Sequence, residues 1–287
     1  MKDETLTLMA VHAHPDDEVF GTGGVLAKAA AEGIHTVLVT ATRGEAGEIH
    51  DPDLDPDEAR DRLDSIREEE LRRAAAILGI AELHFLGYRD SGMAGSPENG
   101  DPRNFHNADP EEATGRLVRI IRQVRPQVIV TYDERGSYGH PDHIAAHRTA
   151  VAAFDAAGDL LRFSDQDLPA WQPQKLYYTA FSRSAFMRFG DLLCERGLPP
   201  PFEDPDFDVA AITVPDEVIT TRVDVREYAA RRQGAMLAHR TQIPADHPFL
   251  TLPEDLVQEA WSTETFIRAR SLVPTPESED DLFAGLR

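Results

Sequence analysis

The sequence has one cysteine, Cys194, among its 287 residues, so no disulfide can form within the chain. A lone thiol is typical of a reducing compartment, and we predict a cytoplasmic location. No apolar run approaches the roughly 20 residues that cross a bilayer, and the N-terminal residues lack the apolar stretch of a secretion signal. No Gly-x-Ser-x-Gly elbow occurs, so the sequence does not support a serine hydrolase.

Basic residues are also scarce, because 29 Lys and Arg stand against 51 Asp and Glu, for a formal net charge of -22. Such a surface repels phosphate backbones and anionic lipid headgroups, so we expect neither nucleic-acid nor membrane partners. Apolar residues make up 41% of the chain, which is ample material for the core of one large domain. The expected partner is therefore a small molecule. The oligomeric state is not indicated by the sequence.

The first half of the chain alternates segments of strand and helix character. Four short apolar runs have the length of buried strands: 6–13, 35–41, 82–86 and 127–131. Four longer stretches have helical spacing: 18–32, 62–78, 110–124 and 141–156. This alternation predicts an α/β fold, with a Rossmann-like, mostly parallel sheet and helices on both faces.

The second half is less regular, and we interpret it as an extension of the same domain. Strands are predicted at Lys175–Ala180, 209–214 and 219–225, and helices at 183–196 and 226–239. The acidic, proline-rich stretch 198–208 is expected to be a loop, and the tail 274–281 to be mobile. The prediction is one domain over 1–287, in which 1–156 forms the core with the site and 157–287 shapes the pocket.

Polar clusters follow the predicted strands, and the first is His14-Pro15-Asp16-Asp17-Glu18. His14 is expected to be a helix N-cap with Pro15 after it, so that the acids fill the first turn, where the helix dipole favours negative charge. His14 and Asp17 are three positions apart and can converge on one cation, whereas Asp16 projects differently and can face a water on that cation. Because loops after parallel strands meet at one edge of the sheet, we predict a ligand site there.

The second cluster, 139–147, follows the fourth strand and repeats the order His, Pro, Asp. It holds three of the chain's 11 histidines: His140, His143 and His147. His143 and His147 are four positions apart on a helix, so the spacing alone allows both of them to bind a metal. In that alternative, His140 contacts the metal ligands and does not bind the metal itself.

Imidazole and carboxylate ligands without thiolate suit Zn²⁺, and also Fe²⁺, Co²⁺ or Mn²⁺. Three protein ligands and one open position make a catalytic metal site, in which the ion polarises a carbonyl and lowers the pKa of its water to about 7. The reaction also needs a base for the water proton and a donor for the oxyanion. Asp16 and His140 are placed for these two tasks.

Together, residues 13–18 and 140–143 resemble the two motifs of the PIG-L family, also called the LmbE-like de-N-acetylases. The resemblance implies one zinc ion per chain, held by His14, Asp17 and His143, and so favours His143 over His147. It implies an amidohydrolase that releases acetate from an N-acetylglucosamine glycoside. It also implies a set of catalytic residues: Asp16 as general base, His140 as oxyanion stabiliser or acid, Tyr138 near the reacting carbonyl, and Asp142.

Further segments, 89–95 and 281–286, are similar to family members that deacetylate N-acetylglucosaminyl-inositol. This likeness implies an amino-sugar substrate contacted by Arg67 and Asp90, which can hold each other and grip vicinal hydroxyls through charge-assisted hydrogen bonds. Two other substrates remain open: a mycothiol-type thiol conjugate, cleaved by an amidase, and another compound containing N-acetylglucosamine. A sugar-binding protein without catalysis is disfavoured, because all the catalytic groups are present.

Overall fold

The computed structural model describes residues 5–200 and 208–287. These residues form one seven-stranded sheet flanked by helices. The strands are β1 (Thr7–His12), β2 (His35–Thr40), β3 (Glu82–Phe85), β4 (Val128–Thr131), β5 (Lys175–Ala180), β6 (Thr221–Asp224) and β7 (Thr263–Ser271). The helices are α1 (Asp17–Gly21), α2 (Gly23–Ala31), α3 (Pro56–Arg60), α4 (Leu63–Leu78), α5 (Pro110–Val124), α6 (Gly136–Gly139), α7 (Pro141–Ala157), α8 (Arg183–Glu195), α9 (Val209–Ile212), α10 (Ala229–Met236), α11 (Pro248–Thr251) and α12 (Glu254–Ala260).

The order of the strands is β3-β2-β1-β4-β5-β7-β6. The first five of these run parallel, and β7 is antiparallel to both β5 and β6. The prediction of a Rossmann-like, mostly parallel sheet is therefore confirmed. The chain leaves β1 towards β2 and leaves β4 towards β5, in opposite directions, so a crevice opens between the carboxyl ends of β1 and β4.

Both faces of the sheet are covered, as the central strand β1 shows. Met9 and Val11 pack into one hydrophobic core, which includes Leu117 of α5. Leu8 packs into a second core on the opposite face, which includes Leu26 of α2. Burial on both faces explains why the central strands β1 and β4 are mostly apolar.

The helix predicted over 18–32 is divided at Thr22 into α1 and α2. Both sides of the break are satisfied by the second half of the chain. Arg232 of α10 donates to two carbonyl oxygens of α1, and Glu264 of β7 accepts from two N–H groups at the start of α2. The N–H and C=O groups at the two helix ends created by the division therefore have hydrogen-bond partners outside the helices.

The other predictions for the second half are confirmed only in part. The strand at Lys175–Ala180 is confirmed, but the strand predicted at 209–214 was wrong, because the helix α9 lies there, and β7 was not predicted. The tail 274–281 was predicted to be mobile, but it is packed against the sheet at Glu279, whose side chain is fully buried against β5. Of the loop predicted at 198–208, residues 201–207 lie outside the described part of the chain. Within that part, no helix combines the length and apolarity needed to cross a membrane.

Candidate metal centre

The candidate site lies in the crevice between β1 and β4. Residues 13–18 follow β1, and the short helix α6 after β4 leads into α7 with its histidines. At this end the ligand atoms of His14, His140 and His143 lie within 4.8 Å of one another, and so do those of His14, Asp90 and Asp142. All five residues are buried. Each of these groups is able to hold a metal ion.

Asp17 lies between the two histidines predicted as metal ligands. Its Oδ2 is 3.3 Å from Nδ1 of His14, and its Oδ1 is 3.2 Å from Nε2 of His143. The backbone N–H of His14 also donates to Oδ2 of Asp17, at 2.7 Å. Two ligands bound tetrahedrally to zinc, each at about 2.0–2.1 Å, are about 3.3 Å apart. The spacing of these atoms is therefore compatible with a shared cation.

The ring of His143 tests whether these residues fit a metal. Its Nε2 is buried and has no hydrogen-bond partner, although Asp17 is only 3.2 Å away. A buried polar atom without a partner is costly, and a cation in front of Nε2 would satisfy it. Burial alone would raise the pKa of Asp17, but His143 and His14 beside it hold that pKa well below its usual value. The residues present thus fit a divalent metal ion.

Asp16 occupies an unusual backbone conformation next to this group. It is the N-cap of α1, with φ 111° and ψ -27°, so the prediction that His14 would be the N-cap was wrong. Its Oδ2 accepts a hydrogen bond from Arg67 at 3.0 Å, and its backbone N–H donates to Oε2 of Glu18, also at 3.0 Å. Burial raises the pKa of Asp16 to about 6, against the opposing effect of Arg67. Asp16 is thus a carboxylate suited to accept a proton.

His140 caps the first turn of α7. Its Nδ1 accepts the backbone N–H of Asp142 at 3.1 Å, so the proton of the neutral ring is on Nε2. Burial, with His14 and His143 nearby, lowers the pKa of His140 to about 4. The ring lies 4.5 Å from that of His14, centroid to centroid. His140 therefore presents a neutral N–H donor beside the candidate metal ligands.

Asp142 is fully buried behind the same group of residues. Its Oδ2 is 3.3 Å from Nε2 of His14 and accepts the backbone N–H of Ser91 at 2.8 Å, while the Ser91 hydroxyl donates to its other oxygen. Asp90 lies close by, with Oδ1 at 3.5 Å from Nε2 of His14. Asp142 therefore contacts the predicted ligand His14 from a fully buried position.

Two tyrosines frame His143. The ring of Tyr132 stacks on it at 4.2 Å, and Tyr138, half exposed, meets it edge-on at 5.0 Å. His147, the alternative ligand, has its Nδ1 2.9 Å from the carbonyl oxygen of Tyr132 and its ring against Tyr178. Among the described residues, neither His147 nor Asp17 belongs to a group whose ligand atoms all lie within 4.8 Å of one another, but Asp17 lies 3.3 Å from His14 and 3.2 Å from His143. The choice of His143 as ligand stays a prediction that this arrangement supports.

Three residues close to the site were not predicted from the sequence: Glu18, Ser91 and Tyr132. Each contacts a predicted site residue, and none belongs to a spacing pattern in the sequence. Glu18 is in the first motif and Ser91 is in the segment 89–95, so only their positions in those segments could have marked them. Their partners, among them Asp16 and Asp142, become visible only in the folded chain.

The sequence of the chain is similar to those of known proteins. The family model described as GlcNAc-PI de-N-acetylase, PIG-L, matches residues 9–154. The chain is 46% identical over 287 residues to a 1D-myo-inositol 2-acetamido-2-deoxy-alpha-D-glucopyranoside deacetylase of Geodermatophilus obscurus, with 97% of each chain covered. It is 39% identical to the mycothiol S-conjugate amidase of Streptomyces coelicolor, over 99% of this chain and 98% of that protein.

A solved structure shares the fold. The N,N'-diacetylchitobiose deacetylase of Pyrococcus horikoshii superimposes with a TM-score of 0.62 at 20% identity, covering 93% of this chain and 85% of that one. Similarity therefore extends over nearly the whole chain, well beyond the two motifs.

Proposed function

The chain belongs to the PIG-L family of GlcNAc-PI de-N-acetylases, and from that membership we propose that it hydrolyses the N-acetyl amide of 1D-myo-inositol 2-acetamido-2-deoxy-α-D-glucopyranoside. The products are acetate and the free amine of the glucosaminyl-inositol. The observation that carries the proposal is the convergence of His14, Asp17 and His143 beside a carboxylate, Asp16, and an imidazole N–H donor, His140.

The metal in this proposal is one Zn²⁺ per chain, held by His14, Asp17 and His143. Fe²⁺, Co²⁺ and Mn²⁺ suit the same ligands. Such an ion would supply Lewis-acid polarisation of the amide carbonyl and would acidify a water in the site. Asp142 contributes indirectly, by accepting from His14 and so holding its ring in position.

The protein's own groups handle the protons. Asp16 takes one proton from the attacking water as the new C–O bond forms to the acetyl carbon. The Nε2–H of His140 donates to the oxygen that becomes negatively charged, with Tyr138 on the open side of the site. When the C–N bond breaks, the proton held by Asp16 passes to the leaving nitrogen, and Asp16 is again a carboxylate. The second water proton, left on the new carboxyl group, is taken up by the more basic amine, so that acetate and the protonated amine are the final products.

Asp90 is the proposed contact for sugar hydroxyls, since it lies at the carboxyl end of the sheet beside His14. Arg67 is proposed to assist substrate recognition indirectly. Its side chain is buried and holds the carboxylate of Asp16, which in turn lies in the site. We propose a single domain, because β5, β6 and β7 from the second half extend the sheet of the first half. A cytoplasmic location is proposed from the family's small-molecule substrates and the lone cysteine.

The test is to incubate metal-loaded protein with three amides and to measure free amine over time. The amides are the N-acetylglucosaminyl-inositol, a mycothiol S-conjugate and N,N'-diacetylchitobiose. We expect the highest kcat/KM for the first. Preferential cleavage of the S-conjugate would instead make the chain an amidase, and no cleavage of any amide by protein with bound metal would contradict hydrolysis altogether.

A further inference from the structure

Two buried side chains connect the first motif to the second half of the chain. Nε2 of His239 lies 2.7 Å from Oε1 of Glu18, and Oε2 of Glu18 accepts the backbone N–H of Asp16 at 3.0 Å. Both side chains are completely enclosed, with 0% exposure for each residue. His239 follows α10, so a chain of hydrogen bonds runs from the end of that helix to the backbone of Asp16.

The direction of these hydrogen bonds follows from the atoms. An ionised carboxylate only accepts, so Nε2 of His239 must carry a proton. Nδ1 of His239 is buried and has no hydrogen-bond partner among the described residues, so Nε2 makes the ring's one hydrogen bond, whatever the charge of the ring. Burial lowers the pKa of His239, but the nearby carboxylates, Glu18 foremost, raise it above its usual value. Glu18 therefore accepts on both oxygens, from His239 on one side and from Asp16 on the other.

The backbone of Asp16 needs such support. A positive φ of 111° in a residue other than glycine is strained, typically by about 1–3 kcal/mol, and persists only where surrounding groups enforce it. Two groups do so. Glu18 holds the Asp16 N–H, and Arg67 donates to the neighbouring carbonyl oxygen of Pro15 and to the Asp16 carboxylate. If Glu18 turned away, the peptide would be free to relax and the carboxylate would move with it.

We propose that His239 is a positioning residue for the deacetylation. Through Glu18 it holds the strained backbone that directs the Asp16 carboxylate towards the reacting water. The inference rests on the proposed role of Asp16 as the base. It places a determinant of the catalytic rate outside residues 9–154, the part of the chain that the family model matches.

The first experiment compares three variants by steady-state kinetics and metal content. His239→Leu removes the donor to Glu18, and His239→Gln returns an amide N–H to a similar position. The control is Thr241→Val, two residues along and equally buried. It removes a hydroxyl that donates to Glu70 at 2.6 Å, so it too deletes a buried hydrogen bond to a carboxylate, but one that does not reach Asp16.

We expect His239→Leu to lower kcat by about 10- to 100-fold, the range for a displaced catalytic group, with KM and bound metal nearly unchanged. His239→Gln should recover most of this loss, and Thr241→Val should keep kcat within about twofold of the wild type, as expected away from the reacting groups. A His239→Leu variant with the kcat of Thr241→Val, or one that loses metal in proportion to activity, would overturn the proposal.

A second measurement needs neither a stable variant nor activity. In ¹⁵N-histidine-labelled wild-type protein, the NMR spectrum should show His239 with its proton on Nε2 and in slow exchange with water. A proton on Nδ1 alone would overturn the proposal even if the enzyme is active. A different outcome is wild-type protein that shows the Nε2 proton and binds metal but cleaves none of the three amides. This result would contradict the proposed function, and the positioning role with it. The hydrogen bonds from His239 through Glu18 to Asp16 would still stand.

Discussion

The guanidinium of Arg67 lies 3.0 Å from the carboxylate of Asp16, and its side chain is only 3% exposed. Its other contacts are with backbone carbonyl oxygens, those of Gly44 and Pro15. Among the described residues it makes no ion pair with Asp90, the residue with which it was expected to grip the substrate. The two predicted substrate contacts thus occupy different environments, one buried behind the base and the other beside His14 at 3.5 Å.

This difference predicts different kinetic effects of Arg67→Ala and Asp90→Ala. Each should lower kcat/KM by at least about tenfold, roughly 1.4 kcal/mol. For Arg67 the loss should fall mainly on kcat, because Asp16 loses the partner that orients its carboxylate, and the melting temperature should drop because buried acceptors lose their donor. For Asp90 the loss should fall mainly on KM.

The matched control is Arg72→Ala on the same helix, α4, where the side chain is 58% exposed and pairs with Glu68. It should leave both constants unchanged, since an exposed pair of this kind contributes about 0–1 kcal/mol to stability and nothing to the site. Unaltered kinetics in the Arg67 variant would remove the argument that Asp16 depends on it.

Asp16→Asn should retain the metal and lose most of the activity. Asparagine preserves the shape of the side chain but cannot take up the proton, so we expect kcat to fall by about 10²–10⁴, as for a missing general base. Metal content by elemental analysis and kcat on the inositol glycoside are the two measurements. If the variant instead purifies without metal, the roles assigned to Asp16 and Asp17 are exchanged.

The two histidines of α7 give a sharper test of the ligand set. His143→Ala should lose metal and activity together, because its Nε2 faces Asp17 at 3.2 Å and has no other partner. His147→Ala should keep about one metal ion per chain, since its Nδ1 is already engaged with the carbonyl oxygen of Tyr132. Loss of metal from the His147 variant would restore the alternative that the sequence spacing left open.

How far the sequence predicted the fold depended on how local the signals were. The helix Pro110–Val124 was predicted to the residue, because Asp109 caps it and Pro110 follows at its first position. The division at Thr22 was missed because the groups that satisfy it, on Arg232 and Glu264, are more than 200 residues away in sequence. No local pattern carries that information, and the same holds for β7 at the far side of the sheet.

The candidate site shows the same limit. The two motifs predicted which side chains would meet, since each follows a parallel strand and the carboxyl ends of such strands share an edge. They did not predict what holds those side chains in place. The contact of Ser91 with Asp142, of Tyr132 with His143 and of His239 with Glu18 each depends on packing between distant segments.

The C-terminal tail offers a prediction about stability. The Glu279 carboxylate is fully buried, forms an ion pair with Lys175, and lies 2.9 Å from both the Tyr177 hydroxyl and Nη1 of Arg268. Lys175 is itself 0% exposed. Through these contacts the tail closes over β5 and one of the two cores, to which Phe283 also belongs. A tail that was free to move would leave the Lys175 ammonium buried without its counter-charge.

Glu279→Ala should therefore destabilise the fold by about 3–5 kcal/mol, the usual cost of removing one partner from a buried ion pair. Replacing both partners, as in Lys175→Met with Glu279→Leu, should cost less than the single change, because no fully buried charge is left without a partner. The side chain of Arg268, which also loses Glu279, is 17% exposed and keeps contact with water. The control is Asp280→Ala, an exposed neighbour of the same charge, which should stay within about 0.5 kcal/mol of the wild type. Urea denaturation followed by circular dichroism measures all three. A Glu279→Ala protein as stable as Asp280→Ala would mean that the tail is not held by this ion pair. The double variant shows whether the loss of stability comes from the charge left on Lys175 or from lost packing.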